Sequence, residues 1–191
     1  MMEDNFDTSL TFFKAPLPPK RFLAIGTHAL SEQMLQLIAT LALRQPLTVL
    51  DCGNRSNMYA VAKLIRPYTD DPVRVMNNIR LSRAFTCYQV LAMIQATAKN
   101  PPGGPLVLLD LLATFLDGDV EIKDARRLLG QSLNLLEELS RFAPVVISTR
   151  PIPAIAEDRA ILLEMLERSV DICWEEPLPL PTSQELQLAL F

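Results

Sequence analysis

Residues 26–33, Gly-Thr-His-Ala-Leu-Ser-Glu-Gln, have the length and leading glycine of a phosphate-binding loop, G-x-x-x-x-G-K-[ST]. In that pattern a second glycine lets backbone N–H groups turn toward phosphate, lysine neutralises the charge and a hydroxyl holds magnesium. Here Gly26 is kept, but the other three positions are Ser31, Glu32 and Gln33. Serine restricts the turn. Glutamate converts attraction into repulsion, and a unit-charge pair at about 4 Å is worth ~4 kcal/mol at an effective dielectric of about 20. The segment reads better as an ordinary helix start, with Ser31 as N-cap and Glu32 in the first turn.

Other reactive residues offer less. His28 is the only histidine and has no nucleophile or carboxylate at a telling spacing, so it reads as a surface loop residue. Cys52, Cys87 and Cys173 lie far apart, fit reduced and mostly buried thiols, and make no metal pattern. The adjacent acids Glu137/Glu138 and Glu175/Glu176 read as solvated charge. No cofactor or metal is implied.

These residues need elements to position them. Apolar runs at 21–26, 47–51, 79–84, 105–110, 145–149 and 170–174 predict strands. Helical spacing predicts helices over 31–44, 56–66, 87–99, 119–142 and 157–168. Alternating strands and helices, with strand runs that do not alternate polar and apolar, predict an α/β fold with a mostly parallel central sheet covered on both faces. Ligands of such sheets bind beyond the carboxyl ends of the strands, here 26–32, 51–55, 110–117 and 149–152.

The 191 residues suit one domain of ordinary size. With 49% hydrophobic and 21% charged residues the chain is neither disordered nor fibrous. The N-terminus lacks a signal-peptide layout and no apolar run is long enough for a membrane span, so a cytoplasmic protein is expected. The net charge of −4 opposes a surface coated in nucleic-acid contacts but leaves room for a local basic patch. Fifteen prolines, concentrated at 16–19, 101–105 and 177–181, divide the chain into an N-terminal arm (1–19), a core (20–175) and a Pro-rich linker with a C-terminal peptide (176–191).

Four segments together resemble the ATPase core of the RecA/RadA recombinases. Asn77–Gln89, with Arg83-Ala84-Phe85, is similar to that family's asparagine, apolar strand and Arg-Ala-Phe turn. Val49–Gly53 resembles the strand ending in the catalytic glutamate, Val107–Asp110 the Walker B strand, and Val145–Arg150 the strand that senses nucleotide. The resemblance implies a RecA-like three-layer fold over residues 20–175. Asp110 matches the Walker B aspartate, which orients magnesium and water. The catalytic glutamate falls at Gly53, and Arg150 replaces the sensing amide. Without lysine, hydroxyl and glutamate, phosphoryl transfer loses charge stabilisation, metal anchoring and water activation together. The expectation is a core that has lost ATP hydrolysis and ATP binding. Of the family's DNA-binding segments, the first carries only mixed charge, with Arg126 and Arg127 as the candidate phosphate contacts, and the second, 151–156, has no basic cluster. DNA binding through them is expected to be weak or indirect.

Both ends resemble docking peptides. Phe12-Phe13-Lys14-Ala15 matches the F-x-x-A pattern by which these recombinases dock onto a neighbouring core, with Phe12 filling a pocket and Ala15 seated beside it. An apolar segment pinned on the domain edge fits the same residues. Gln187-Leu188-Ala189-Leu190-Phe191 resembles the bacterial sliding-clamp-binding motif. Gln187 would meet the rim of the groove, Leu188 a small subsite, and Leu190 with Phe191 the apolar pocket, beyond a linker that keeps the peptide accessible. The alternative is a tail whose Leu and Phe pack back on the domain.

The expectation that follows is a non-catalytic, nucleoid-associated accessory protein of DNA repair, recombination or lesion bypass. It would act by binding proteins: a sliding clamp through its tail, and a recombinase, a polymerase or a second copy through its core. The rivals are a divergent ATP-binding or ATP-hydrolysing protein using Asp110 and Arg150, and a DNA-binding structural subunit of a recombinase-paralogue complex using Arg126 and Arg127.

Overall fold

Runs rich in Leu, Ile and Val form the central strands, and more polar segments the two edge strands, in the sheet of the computed structural model, which describes residues 20–177. The strands are β1 (Arg21–Ile25), β2 (Leu47–Asp51), β3 (Ile79–Arg83), β4 (Leu106–Leu109), β5 (Val145–Thr149) and β6 (Ile172–Glu175). Between them run α1 (Ser31–Ala42), α2 (Met58–Ile65), α3 (Pro72–Met76), α4 (Cys87–Lys99), α5 (Ile122–Leu139) and α6 (Ala160–Arg168). The six strands form one sheet in the order β3-β2-β4-β5-β1-β6, and every neighbouring pair is parallel.

Alternate residues of each buried strand feed two cores. Leu23, Ile25, Leu50, Leu106, Leu108, Val145 and Ile147 pack with α4, α5 and α6. Phe22, Ala24, Val49, Val107, Leu109 and Val146 pack with α1, α2 and α3. Crossovers running toward β3 therefore lie on one face and those running toward β6 on the other, as right-handed connections require. The result is the expected three-layer α/β fold, with a strand order consistent with a RecA-like core. Among the described residues no helix is long and apolar enough to cross a membrane.

Caps explain where helices begin. Asn57 accepts from Ala60 N–H at 3.0 Å, and Thr86 accepts from Gln89 N–H at 3.2 Å while Gln89 reaches back to Phe85 N–H at 2.8 Å. The short α3 was not foreseen. Asp71 caps it and Pro72 opens it, a start signal hidden between two apolar segments of low periodicity.

Several boundaries differ from expectation: α2 runs from Met58 to Ile65 and not over 56–66, α1 stops at Ala42 and not at 44, and β6 runs from Ile172 to Glu175 and not over 170–174. The helix expected over 119–142 begins at Ile122 and ends at Leu139, because Asp117 ties down Asp119 N–H in a preceding turn. The helix expected from 157 begins at Ala160, after a 3-10 turn over Ala154–Arg159. Ser31 is the first residue of α1 and not its cap: Leu30 stands at the cap position, and the Ser31 hydroxyl donates to His28 O at 2.6 Å.

Candidate functional site

The loop after β1 follows Gly26 with a left-handed run. His28, Ala29 and Leu30 have φ of 51°, 55° and 54°, a conformation that costs a non-glycine residue about 1–2 kcal/mol. Burial offsets the strain, since Ala29 and Leu30 are sequestered in the core beneath the loop. Leu30 folds back on Gly26 so closely that a Cβ there would collide with its Cδ2. The loop is thus packed with an aliphatic side chain. Its donors also have a partner within the chain: Thr27 donates to Glu176 Oε2 from its backbone N–H at 2.8 Å and from its hydroxyl at 2.7 Å. Glu176, which reads in the sequence as solvated charge, serves as the loop's own anion. Glu32 is exposed on α1, Gln33 is half-buried, and His28 is exposed as expected.

Asp110 follows β4 at the carboxyl end of the sheet, 1% exposed, and its backbone is left-handed with φ 52°. Ser148 of β5 holds that turn, accepting Asp110 N–H on its hydroxyl at 3.1 Å and Leu111 N–H on its carbonyl at 3.0 Å. Two guanidinium groups converge on one carboxylate oxygen. Arg55 Nε donates to Asp110 Oδ2 at 2.9 Å, and Arg150 Nε lies 3.2 Å from the same oxygen as an ion pair. Asp110 Oδ1 is buried without a hydrogen-bond partner among the described residues. Gly53 approaches from β2: a Cβ on it would lie 2.7 Å from Asp110 Oδ2 and 2.5 Å from Asp110 Cβ. The aspartate and Gly53 therefore close on each other across the junction of β2 and β4, whose following loops depart to opposite faces of the sheet.

A second buried carboxylate stands beside it. Asp51, 0% exposed at the end of β2, accepts from the Arg55 and Ser56 backbone N–H groups at 2.8 and 3.0 Å, from the Ser56 hydroxyl at 2.5 Å, and from Arg83 Nε at 2.9 Å. Burial opposes its ionisation. The Ser56 hydroxyl, the two backbone donors and the Arg83 charge outweigh it and hold the carboxyl below the ordinary range. Arg83 also donates to the Ser56 hydroxyl at 2.5 Å and to its carbonyl at 3.3 Å. Asp51, Ser56 and Arg83 thereby join β2, β3 and the loop entering α2 into one network. Cys52, fully buried next to Asp51, has its thiol pushed far up by desolvation and by the two aspartates, so it is no nucleophile.

Of the residues singled out in the sequence, Gly53, Asp110 and Arg150 meet at one point, whereas Gly26 and Ser31 belong to the separate loop after β1. Arg126 and Arg127 are exposed on the first turns of α5, with Arg127 donating to Asp124 at 3.1 Å. Phe12, Ala15, Gln187, Leu188, Leu190 and Phe191 lie outside the described residues. Arg55 was missed, although it sits in a loop at the carboxyl end of a strand, four residues after an aspartate. Arg159 was missed as well. It is buried and donates to the Phe115 and Val120 carbonyls at 2.8 and 2.5 Å, tying the segment after β4 to α6.

Chemically, this arrangement neutralises Asp110 with side chains of the same protein and fills the loop after β1 with Leu30 and Glu176. No family model matches the chain, and no curated protein matches it.

Proposed function

We propose that this protein is a non-catalytic RecA-like accessory factor of DNA repair, recombination or lesion bypass, working through protein contacts and tethered to a sliding clamp by residues 187–191. The observation that carries the non-catalytic part is the Arg55–Asp110–Arg150 cluster packed on Gly53. Metal-assisted phosphoryl transfer needs an aspartate free to hold magnesium and a carboxylate to activate water. Here the aspartate is engaged by two cations, and the second position has no side chain and no space for one. Leu30 in the loop after β1, and Glu176 beyond β6 bonded to that loop, support the same reading, since an aliphatic plug and a carboxylate both oppose a polyphosphate.

A core that keeps the sheet and discards the reaction centre serves as a docking platform, and the terminal peptides are its candidate contacts. The tether rests on Gln187, Leu188, Leu190 and Phe191 beyond a Pro-rich linker. Capture on immobilised sliding clamp tests it. The full chain should bind, and Gln187→Ala with Phe191→Ala should abolish binding. Clamp binding unaffected by those changes, or absent in the intact chain, removes the tether. A core partner, whether a recombinase, a polymerase or a second copy, is then sought with the tail deleted.

A further inference from the structure

The middle proline cluster, Pro101-Pro102-Gly103-Gly104-Pro105, leads into β4 at the amino end of the sheet, opposite the end that carries Asp110. Proline has no backbone N–H, so Gly103 and Gly104 hold the only two main-chain donors of this loop. Gly104 is buried, and a Cβ on it would collide with the Pro46 carbonyl, so the loop sits directly against the start of β2. Neither glycine N–H donates to another group among the described residues. A buried main-chain donor without a partner is costly, and folded proteins seldom keep one.

Both glycines line a hollow of about 140 Å³, whose remaining walls are the entrances to β2 and β3. Thr48 and Arg80 belong to that lining and are register partners in the β2–β3 pair. Thr48 is only 7% exposed, yet its hydroxyl makes no hydrogen bond among the described residues. The Arg80 guanidinium is exposed and likewise makes no hydrogen bond or ion pair among them. The same pair also lines a second hollow, beneath α4. No acidic residue lines either space, and none occurs from Pro72 to Leu109. Main-chain N–H groups, a hydroxyl and a guanidinium, with no carboxylate among them, are what an oxyanion requires. The guanidinium forks onto two oxygens, and the neutral donors take the others. A hard metal ion would find no carboxylate here. An apolar ligand would leave every donor unpaired.

We infer that the amino end of β2 and β3 is a binding site for a small oxyanion, a phosphoryl or carboxylate group, held by Arg80, Thr48 and the Gly103 and Gly104 N–H groups. The site lies at the opposite end of the sheet from Asp110 and does not depend on the clamp tether. The experiment is a proton–nitrogen NMR titration of the full chain with inorganic phosphate and, separately, with acetate. Sodium chloride at matched ionic strength is the control. The Gly103 and Gly104 amide signals should move downfield and saturate in the millimolar range with at least one of the two anions, and not with chloride. Saturation by phosphate alone assigns a phosphoryl ligand, and saturation by acetate alone assigns a carboxylate. Arg80→Gln should weaken binding about tenfold or more, as expected for loss of a charge-assisted pair. Thr48→Val keeps the side-chain shape and should weaken it about threefold to tenfold. Both variants are compared after thermal unfolding shows each folded. Glycine shifts that fail to saturate, that chloride reproduces or that Arg80→Gln leaves unchanged overturn the inference. So does saturable binding whose shifts centre on another part of the chain.

Discussion

Gly53 and Asp110 touch across the β2–β4 junction so closely that a single methyl group on Gly53 would lie 2.5 Å from Asp110 Cβ. A side chain at residue 53 and the present backbone position of Asp110 exclude each other, because the Cβ of Asp110 does not move with its rotamer. The absence of a side chain at residue 53 is therefore a packing requirement of this core. Gly53→Ala should destabilise the protein by about 1–3 kcal/mol, the usual cost of overpacking, read as a lower denaturant midpoint at unchanged slope. Gly53→Glu should cost more and should generate no ATP turnover.

The cations around Asp110 need their counter-charge. Asp110→Asn keeps the shape and removes the charge, leaving Arg55 and Arg150 facing each other. Breaking a buried pair from one side costs about 3–5 kcal/mol. Arg55 and Arg150 are partly solvated, at 26% and 40% exposure, so about 2–3 kcal/mol is expected. Arg150→Gln should cost less than Asp110→Asn, because Arg55 still donates to the carboxylate.

Acid should loosen the β2–β3 end of the sheet through Asp51. Its carboxyl is held below its ordinary value in the folded protein, so the unfolded chain takes up the proton first. That stabilisation is complete above the unfolded-state pKa near 4 and is lost as pH falls through the lower folded value. Asp51→Asn should be less stable than the parent at neutral pH, and its stability should fall less as pH drops below about 4. Denaturant midpoints across the acid range provide the comparison.

Among the described residues Arg159 is buried with carbonyl partners and no acid, so its guanidinium depends on Phe115 and Val120 staying in place. Arg159→Met should leave those carbonyls unpaired at about 1–3 kcal/mol each. It should also raise hydrogen exchange in residues 111–121 before it affects β1 or β5.

The sheet was legible because its strands are apolar runs bounded by turn residues. Leu47–Asp51, Val145–Thr149 and the helix Cys87–Lys99 fall where the apolar runs and helical periodicity place them. The site was half legible. Asp110, Gly53 and Arg150 stand out through the resemblance to the recombinase core, and Glu32 because its sign is wrong for phosphate. What closes the site is side-chain direction, which no spacing encodes. Leu30 bending over Gly26, Glu176 reaching Thr27 from residues 149 positions away, and Arg55 turning back on Asp110 all depend on the sheet bringing distant ends together. The Ser31 cap failed for a related reason: three left-handed residues place Leu30 at the helix entry, and only the core they bury makes that turn affordable.

Calorimetric titration of the full chain with magnesium–ATP tests the central claim most directly. If Arg55, Arg150, Leu30 and Glu176 occupy the positions a magnesium nucleotide would need, no saturable heat should appear and the thermal midpoint should not move. Saturable binding that Asp110→Asn abolishes would contradict the account and identify a working nucleotide site.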